Sequence, residues 1–235
     1  MYFNQLNYNI QLYIASKVLN RTKEDLMIYS FDVTLEMENI AKNHIVNSVP
    51  LSKVFNEKYF WKSCFYTNEH TLDPRPETES LIELIISHEH DNVSLLELGV
   101  GTGAVILSLM QEIQTFKAIG IDISRDALNV CRRNADSMNL SPILIQNDWL
   151  NGFDEPMDIL VSNPPYLLRS EIDENIHFLQ YDPDVALYGG EDGMIFYEQI
   201  ADKQCLFKYI YLEVPDVRKQ RVMELFKNHR NFYII

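Results

Sequence analysis

Apolar residues in the first fifty positions recur at helical spacing. Ile10, Ile14 and Val18 fall at i, i+4 and i+8 beside Leu12, Ala15 and Leu19, which makes one apolar stripe. Asn20-Arg21 ends the stripe, and Thr22 with Asp25 three residues on resembles a capping box that opens a second helix through Leu26, Met27 and Ile28. A third helix is expected after Asp32 or Thr34, carrying Leu35, Ile40, Ala41, Ile45 and Val46 and ending before Pro50. Residues 1–53 therefore read as a small helical unit suited to docking. Residues 54–66 are aromatic and strand-like, with Asn56-Glu57 as the expected turn of a β-hairpin, so residues 54–72 read as a hairpin linker. Leu72-Asp73-Pro74-Arg75-Pro76-Glu77-Thr78-Glu79 is then a proline-stiffened entry to a helix rich in Leu81, Ile82, Leu84, Ile85 and Ile86.

From residue 94 short apolar runs alternate with amphipathic stretches. Strands are expected at 94–98, 118–123, 143–146, 158–162 and 209–214, and helices at 104–112, 125–138 and 193–203. This alternation predicts an α/β fold over residues 73–235, with a parallel sheet covered on both faces. Ligands of such sheets bind beyond the carboxyl ends of the strands. Toward the end, 224–229 reads as a helix and 232–235 as the start of one strand.

Composition narrows the classes. The 235 residues carry 20 Lys and Arg against 34 Asp and Glu, a formal charge of −14. That balance argues against broad phosphate neutralisation and so against nucleic acid as a partner. Three widely spaced cysteines give neither a disulfide framework nor a zinc spacing, and a reducing cytoplasm is the expected compartment. His88 and His90 flank Glu89 without a third ligand nearby, so no metal is expected. No window is apolar enough to span a membrane, and the start Met1-Tyr2-Phe3-Asn4-Gln5 lacks a basic segment followed by an apolar run, so no signal peptide is expected.

The candidate chemistry sits at strand ends. Glu97-Leu98-Gly99-Val100-Gly101-Thr102-Gly103 places a glycine-rich turn between the first strand and its helix, letting a ligand approach the backbone closely. Its G-x-G-x-G spacing fits a nicotinamide or flavin site as well as an S-adenosylmethionine site. Glu97 tips the balance, because an acid under the turn would repel a pyrophosphate and favour a cation. Asp122, 19 residues after Gly103, is placed to accept both ribose hydroxyls. Asp148-Trp149 follows the third strand, where the acid can accept from an adenine amino group and the ring can cover the base. The expected cofactor set is thus Glu97, Gly99, Val100, Gly101, Thr102, Gly103, Asp122, Asp148, Trp149 and Asn163.

Asn163-Pro164-Pro165-Tyr166 closes the fourth strand. Two prolines remove two backbone donors, so the turn offers carbonyl oxygens without competing N–H groups. The Asn163 side-chain oxygen and the Pro164 carbonyl can accept the two protons of a target NH2 group, and the Tyr166 ring can pack on a planar substrate. An amide nitrogen is a poor nucleophile because its lone pair is delocalised. Two acceptors orient it so that the lone pair points at a methyl group.

Together with Pro74-Arg75-Pro76-Glu77-Thr78-Glu79 and Ala186-Leu187-Tyr188-Gly189-Gly190-Glu191-Asp192-Gly193, these segments resemble, in order, the HemK/PrmC-type release factor N5-glutamine methyltransferases of bacteria. The resemblance runs from the N-terminal helices to about residue 213. It implies a class I, Rossmann-like S-adenosylmethionine-dependent methyltransferase that methylates the glutamine of a Gly-Gly-Gln motif in peptide chain release factors, affecting translation termination and leaving S-adenosylhomocysteine. The implied catalytic and substrate-holding residues are Asn163, Pro164, Pro165 and Tyr166, with Arg75 also at the substrate. The N-terminal helices would dock the release factor, and the protein would act as a monomer, away from membranes. Two features depart from the family. Pro215 stands where glycine is usual, and the sheet, which in this class normally ends in an antiparallel pair, is expected to be one edge strand short, as in a truncated edge. Two other readings stay open: an adenine or other nucleic-acid amino methyltransferase, which shares the Asn-Pro-Pro-Tyr turn, and an inactive binding remnant.

Overall fold

A computed structural model describes residues 1–235, which form two compact units, Met1–Asn56 and Glu57–Ile235. In the first unit the expected helices are α1 (Tyr8–Leu19), α2 (Lys23–Ile28) and α3 (Leu35–Val46), followed by α4 (Leu51–Phe55). Side chains of Asn7, Thr22 and Thr34 accept from the N–H groups of Ile10, Asp25 and Met37 and so cap the first three. Phe3, Leu12, Ile14, Ala15, Leu26, Met37 and Ala41 form the core of this unit. The expected hairpin turn at Asn56-Glu57 is corrected. Asn56 ends α4 in the left-handed conformation, with φ 54°, a role that asparagine fills readily. The hairpin belongs to the second unit, pairing β1 (Glu57–Phe60) with β2 (Ser63–Tyr66) around Trp61-Lys62.

The second unit is an α/β fold around a six-stranded parallel sheet of β3 (Val93–Leu98), β4 (Thr115–Asp122), β5 (Ile143–Gln146), β6 (Met157–Ser162), β7 (Phe207–Leu212) and β8 (Phe232–Ile234). Its helices are α5 (Glu79–Ser87), α6 (Ala104–Glu112), α7 (Arg125–Ser137), α8 (Arg169–Glu174), α9 (Ile176–Leu179), α10 (Ile195–Asp202) and α11 (Asp216–Leu225). Alternation along the strands supplies two cores. Leu95, Ile159, Val161 and Tyr211 meet Leu81, Ile82, Ile85 and Leu107 on one face. Leu96, Leu98, Ile121, Leu160 and Ile210 meet Tyr197, Ile200, Val222 and Phe226 on the other.

The strand order β5-β4-β3-β6-β7-β8 reverses direction between β3 and β6. Chain segments leaving these two neighbours part to opposite sides, which opens a crevice at their carboxyl ends. The glycine turn leaves β3 and the Asn-Pro-Pro-Tyr turn leaves β6, so the topology brings both to this crevice.

One expectation for the end of the chain changes. The last helix is α11, which starts at Asp216 after Pro215 and ends at Leu225, so residues 226–229 follow it instead of forming it. Pro215 is extended and stands just before the first turn, where a missing N–H costs nothing. The last strand pairs in parallel directly with β7, Tyr211 opposite Tyr233, and the sheet has no antiparallel pair. Phe232 stacks on Phe226 at 4.3 Å on one face and Tyr233 on Tyr211 at 5.1 Å on the other, which holds β8 in that register. No helix is long and apolar enough to cross a membrane.

Candidate active site

The glycine turn is fixed from the neighbouring strand. The N–H groups of Gly99 and Val100 both donate to the Ile121 carbonyl, at 2.9 and 3.0 Å, and Gly103 N–H donates to Val100 O at 2.7 Å. Gly99 and Gly101 take φ of 70° and 51°, and a Cβ on either would stand in open space, with nothing nearer than Gly99 O at 3.9 Å from Gly101. The turn is therefore an open cradle whose backbone a ligand can reach.

Asp122, the last residue of β4, closes the cradle from the side. Its Oδ2 accepts from Gly101 N–H and its Oδ1 from Ser124 N–H, both at 2.9 Å. A carboxylate has about four acceptor positions, and with the Ile123 N–H also directed at it one remains for a further donor. Burial raises the Asp122 pKa above its ordinary value, against the pull of these N–H bonds.

Glu97 is corrected. The sequence reading put its charge toward a cationic cofactor, yet its carboxylate does not line the cavity. It is buried, its Oε2 accepts Ile106 N–H at 2.8 Å, and burial raises its pKa well above the usual value. The cause is local. Gly103 stands at the N-cap of α6 without a side chain to cap it, so the free N–H of the third helical residue is met from β3 instead. Val100, Thr102 and Gly103 also stay out of the cavity lining. Val100 and Thr102 are buried, and Thr102 O accepts from Asn134 Nδ2 at 2.9 Å.

The cavity beside the cradle is lined by Gly99, Gly101, Ile121, Asp122, Ile123, Asp148, Trp149, Asn163 and Pro165. Trp149 sits at φ 50°, its carbonyl accepting from Asn147 Nδ2, and its ring stacks on Phe196 of α10 at 4.2 Å. His70, Thr71, Leu72, Val185, Ala186 and Phe196 line the same cavity and were missed in the sequence. The available signal was weak: an aromatic in a helix reads as core, and Val185-Ala186 lies beside the Gly-Gly segment without marking it.

A second cavity adjoins the first. Asn163, Pro164, Pro165, Tyr166 and Arg75, all expected to hold a substrate, line it together with Glu77, Phe178, Leu187 and Glu213. Arg75 pairs with Asp182 at 2.6 Å. The Gly-Gly-Glu-Asp-Gly segment braces the turn. Gly189 N–H donates to Leu167 O at 2.9 Å, and a Cβ at Gly189 would fall 2.6 Å from Tyr166 Cα. Glu191 and Asp192 stay outside both cavities, bonding Tyr188 and Arg221. Asn163 and Pro165 line both cavities and mark where two ligands would meet.

An open glycine cradle, a strand-end acid with spare acceptor capacity and an aromatic wall fit the ribose, base and backbone-facing parts of S-adenosylmethionine. This fold and crevice define a Rossmann-like methyltransferase, and residues 69–191 match the family described as "Methyltransferase small domain". The chain is 32% identical to the release factor glutamine methyltransferase of Buchnera aphidicola subsp. Schizaphis graminum, over 94% of this chain and 84% of that protein. It is 36% identical to the protein of that name from Streptococcus pneumoniae, over 77% of this chain and 67% of the relative. With that of Caulobacter vibrioides it shares 38% identity over 65% of this chain, and the match spans about half, 55%, of the relative's length. The chain belongs to the release factor glutamine methyltransferase family.

Proposed function

We propose that the chain transfers a methyl group from S-adenosylmethionine to the side-chain amide nitrogen of the glutamine in the Gly-Gly-Gln motif of peptide chain release factors. The observation that carries this reading is the position of Asn163 and Pro165 on the wall common to both cavities. When bound, S-adenosylmethionine supplies an electrophilic methyl carbon on a sulfonium, and the C–S electrons leave with sulfur as the N–C bond forms. The chain's own groups position the reactants. Asp122, Gly99, Gly101, Asp148 and Trp149 would hold the donor on the β4 side. Asn163 Oδ1 and the Pro164 carbonyl would accept the two amide protons of the glutamine, with Tyr166 against its plane. This points the nitrogen lone pair toward the first cavity, a positioning effect that can be worth several kcal/mol. After transfer the nitrogen loses its extra proton to water.

The same reading makes helices α1–α4 the docking unit for the release factor. It puts the reaction in the cytoplasm, where translation terminates, and has the chain act as a monomer. A formal charge of −14 favours a protein substrate over a nucleic acid. Incubating the protein and methyl-labelled cofactor with a purified release factor tests the proposal. Label is expected in the release factor and absent when its Gly-Gly-Gln glutamine is replaced by alanine. Equal labelling of that variant, or label only in added DNA or RNA, would refute it.

A further inference from the structure

Asn163 has an ambiguity that its role does not tolerate. Its side-chain amide has a donor end and an acceptor end of nearly equal size, and only the acceptor end can receive a proton from a target NH2. Something must choose between the two orientations. A chain of hydrogen bonds lies behind Asn163. Asn163 Nδ2 donates to Thr78 Oγ1 at 3.1 Å, and Thr78 Oγ1 donates to Glu213 Oε2 at 2.6 Å.

We propose that Thr78 and Glu213 are positioning residues for methyl transfer: the Glu213 carboxylate fixes the direction of the Thr78 hydroxyl, which commits the NH2 of Asn163 and leaves its Oδ1 for the target nitrogen. This rests on the function proposed above. The logic is one of counting protons. A hydroxyl has a single hydrogen, and a carboxylate can only accept, so the Thr78 hydrogen points at Glu213. Thr78 then presents only lone pairs to Asn163, and the Glu213 carboxylate, which also takes a hydrogen bond from the Asn163 side chain, selects the same NH2 end.

All three residues are set by separate parts of the fold. Thr78 is buried at the end of the 3-10 turn Pro76–Thr78, in the proline-stiffened segment before α5, with its N–H on Arg75 O at 3.1 Å. Glu213 directly follows β7. Its N–H donates to Ser162 O at 3.0 Å, and its carbonyl accepts from Tyr197 Oη at 3.0 Å. Asn163 directly follows Ser162, so the Glu213 backbone is tied to the strand end that carries Asn163. Inside such a site a charge-assisted bond is stronger than a neutral one, and the polarised hydroxyl becomes a better acceptor for Asn163.

The arrangement predicts a pH signature. Arg75 and Glu77 face Glu213 from the turn before α5, Tyr166 from the turn after β6, and Tyr197 from α10. Burial is the largest influence and raises the Glu213 pKa, with the Thr78 and Asn163 side-chain bonds and the Arg75 charge opposing it and the Glu77 charge adding to it. Below that pKa a protonated Glu213 can donate to Thr78. The hydroxyl hydrogen is then free to turn toward Asn163, which selects the wrong end of the amide. Transfer should therefore fall as pH drops, starting above the ordinary carboxylate range.

Three variants test this: Thr78→Val, which removes the hydroxyl at constant size; Thr78→Ser, which keeps it; and Glu213→Gln, which cannot titrate. Turnover on the release factor, KM and cofactor affinity are measured across pH, with the Asn163 side-chain Nδ2 protons followed by NMR on the same samples. Thr78→Val is expected to lower kcat about 100-fold, the scale for losing one preorganised polar contact, while cofactor Kd changes less than about twofold. Thr78→Ser should recover to within about threefold of wild type, and Glu213→Gln should lose the acid limb of kcat, measured at saturating cofactor so that the Asp122-linked fall in cofactor affinity does not enter, along with about tenfold in kcat. In the wild type the Nδ2 proton signals should shift with the titration of Glu213, in Thr78→Val that shift should shrink, and in Glu213→Gln it should vanish. Wild-type turnover in Thr78→Val, equal impairment of the serine and valine variants, or an acid limb of kcat retained by Glu213→Gln at saturating cofactor would overturn the relay. If the wild type leaves the release factor unmethylated, the proposed function fails, and the Nδ2 signals still decide whether the relay exists.

Discussion

The two cavities that meet at Asn163 are made of different materials. On the β4 side, an open glycine backbone, one strand-end carboxylate and the Trp149–Phe196 stack form a surface that is apolar apart from a few fixed acceptors. On the β7 side, Arg75, Glu77 and Glu213 surround a turn from which two prolines have removed the backbone donors. The first suits a ligand recognised by shape and a few hydroxyl and amino groups. The second suits a small amide whose orientation must be imposed. On the proposed function, the difference makes binding and chemistry separable, with Asn163, which lines both cavities, as the place where they join.

Asn163→Ala should expose that separation most strongly. Transfer is expected to fall by about 100- to 1,000-fold, the scale for one lost preorganised contact, while cofactor affinity measured by calorimetry stays within a few-fold. A parallel loss of both would merge the two cavities into one functional unit. Asp122→Ala should show the opposite pattern. Removing two charge-assisted acceptors is expected to weaken cofactor binding by about 10- to 100-fold. Because the Asp122 pKa is raised by burial, cofactor affinity in the wild type should fall as pH drops, beginning above the usual aspartate range, as protonation removes the acceptors. A flat profile would remove Asp122 from the ribose.

Gly189→Ala tests the brace between the turn and the Gly-Gly segment. Its Cβ would stand 2.6 Å from Tyr166 Cα, an overlap expected to destabilise by about 1–3 kcal/mol and to lower transfer more than cofactor affinity. Unchanged melting and turnover would show that the turn needs no such brace. The smallest effect concerns Glu97. Glu97→Leu leaves Ile106 N–H unpaired and should cost about 1–3 kcal/mol in denaturant unfolding, whereas Glu97→Gln keeps an acceptor and removes a buried charge, so its stability should match or exceed wild type. A marked loss of cofactor affinity in Glu97→Gln with stability intact would restore the charge to the site.

What could be read in the sequence was local. The glycine turn, Asp122 at a strand end and the Asn-Pro-Pro-Tyr turn each lie within a few residues that announce their own geometry. The backbone partner of Glu97 is not local in the same way, since Ile106 lies nine residues on, across the glycine turn. Thr78 and Glu213 were out of reach. Thr78 is 85 residues from Asn163 and 135 from Glu213, and it acquires a role only when the sheet brings the ends of β6 and β7 to the proline-stiffened segment. The register of β8 was equally hidden, because three residues pair with whichever neighbour their rings can stack on.

A structure of the protein with S-adenosylhomocysteine and a Gly-Gly-Gln peptide tests the central claim most directly. The nucleoside is predicted against Asp122 and Trp149, with the glutamine amide in the β7-side cavity donating to Asn163 Oδ1 and the Pro164 carbonyl. A glutamine side chain bound elsewhere, or held by Asn163 through its NH2 end, would contradict it.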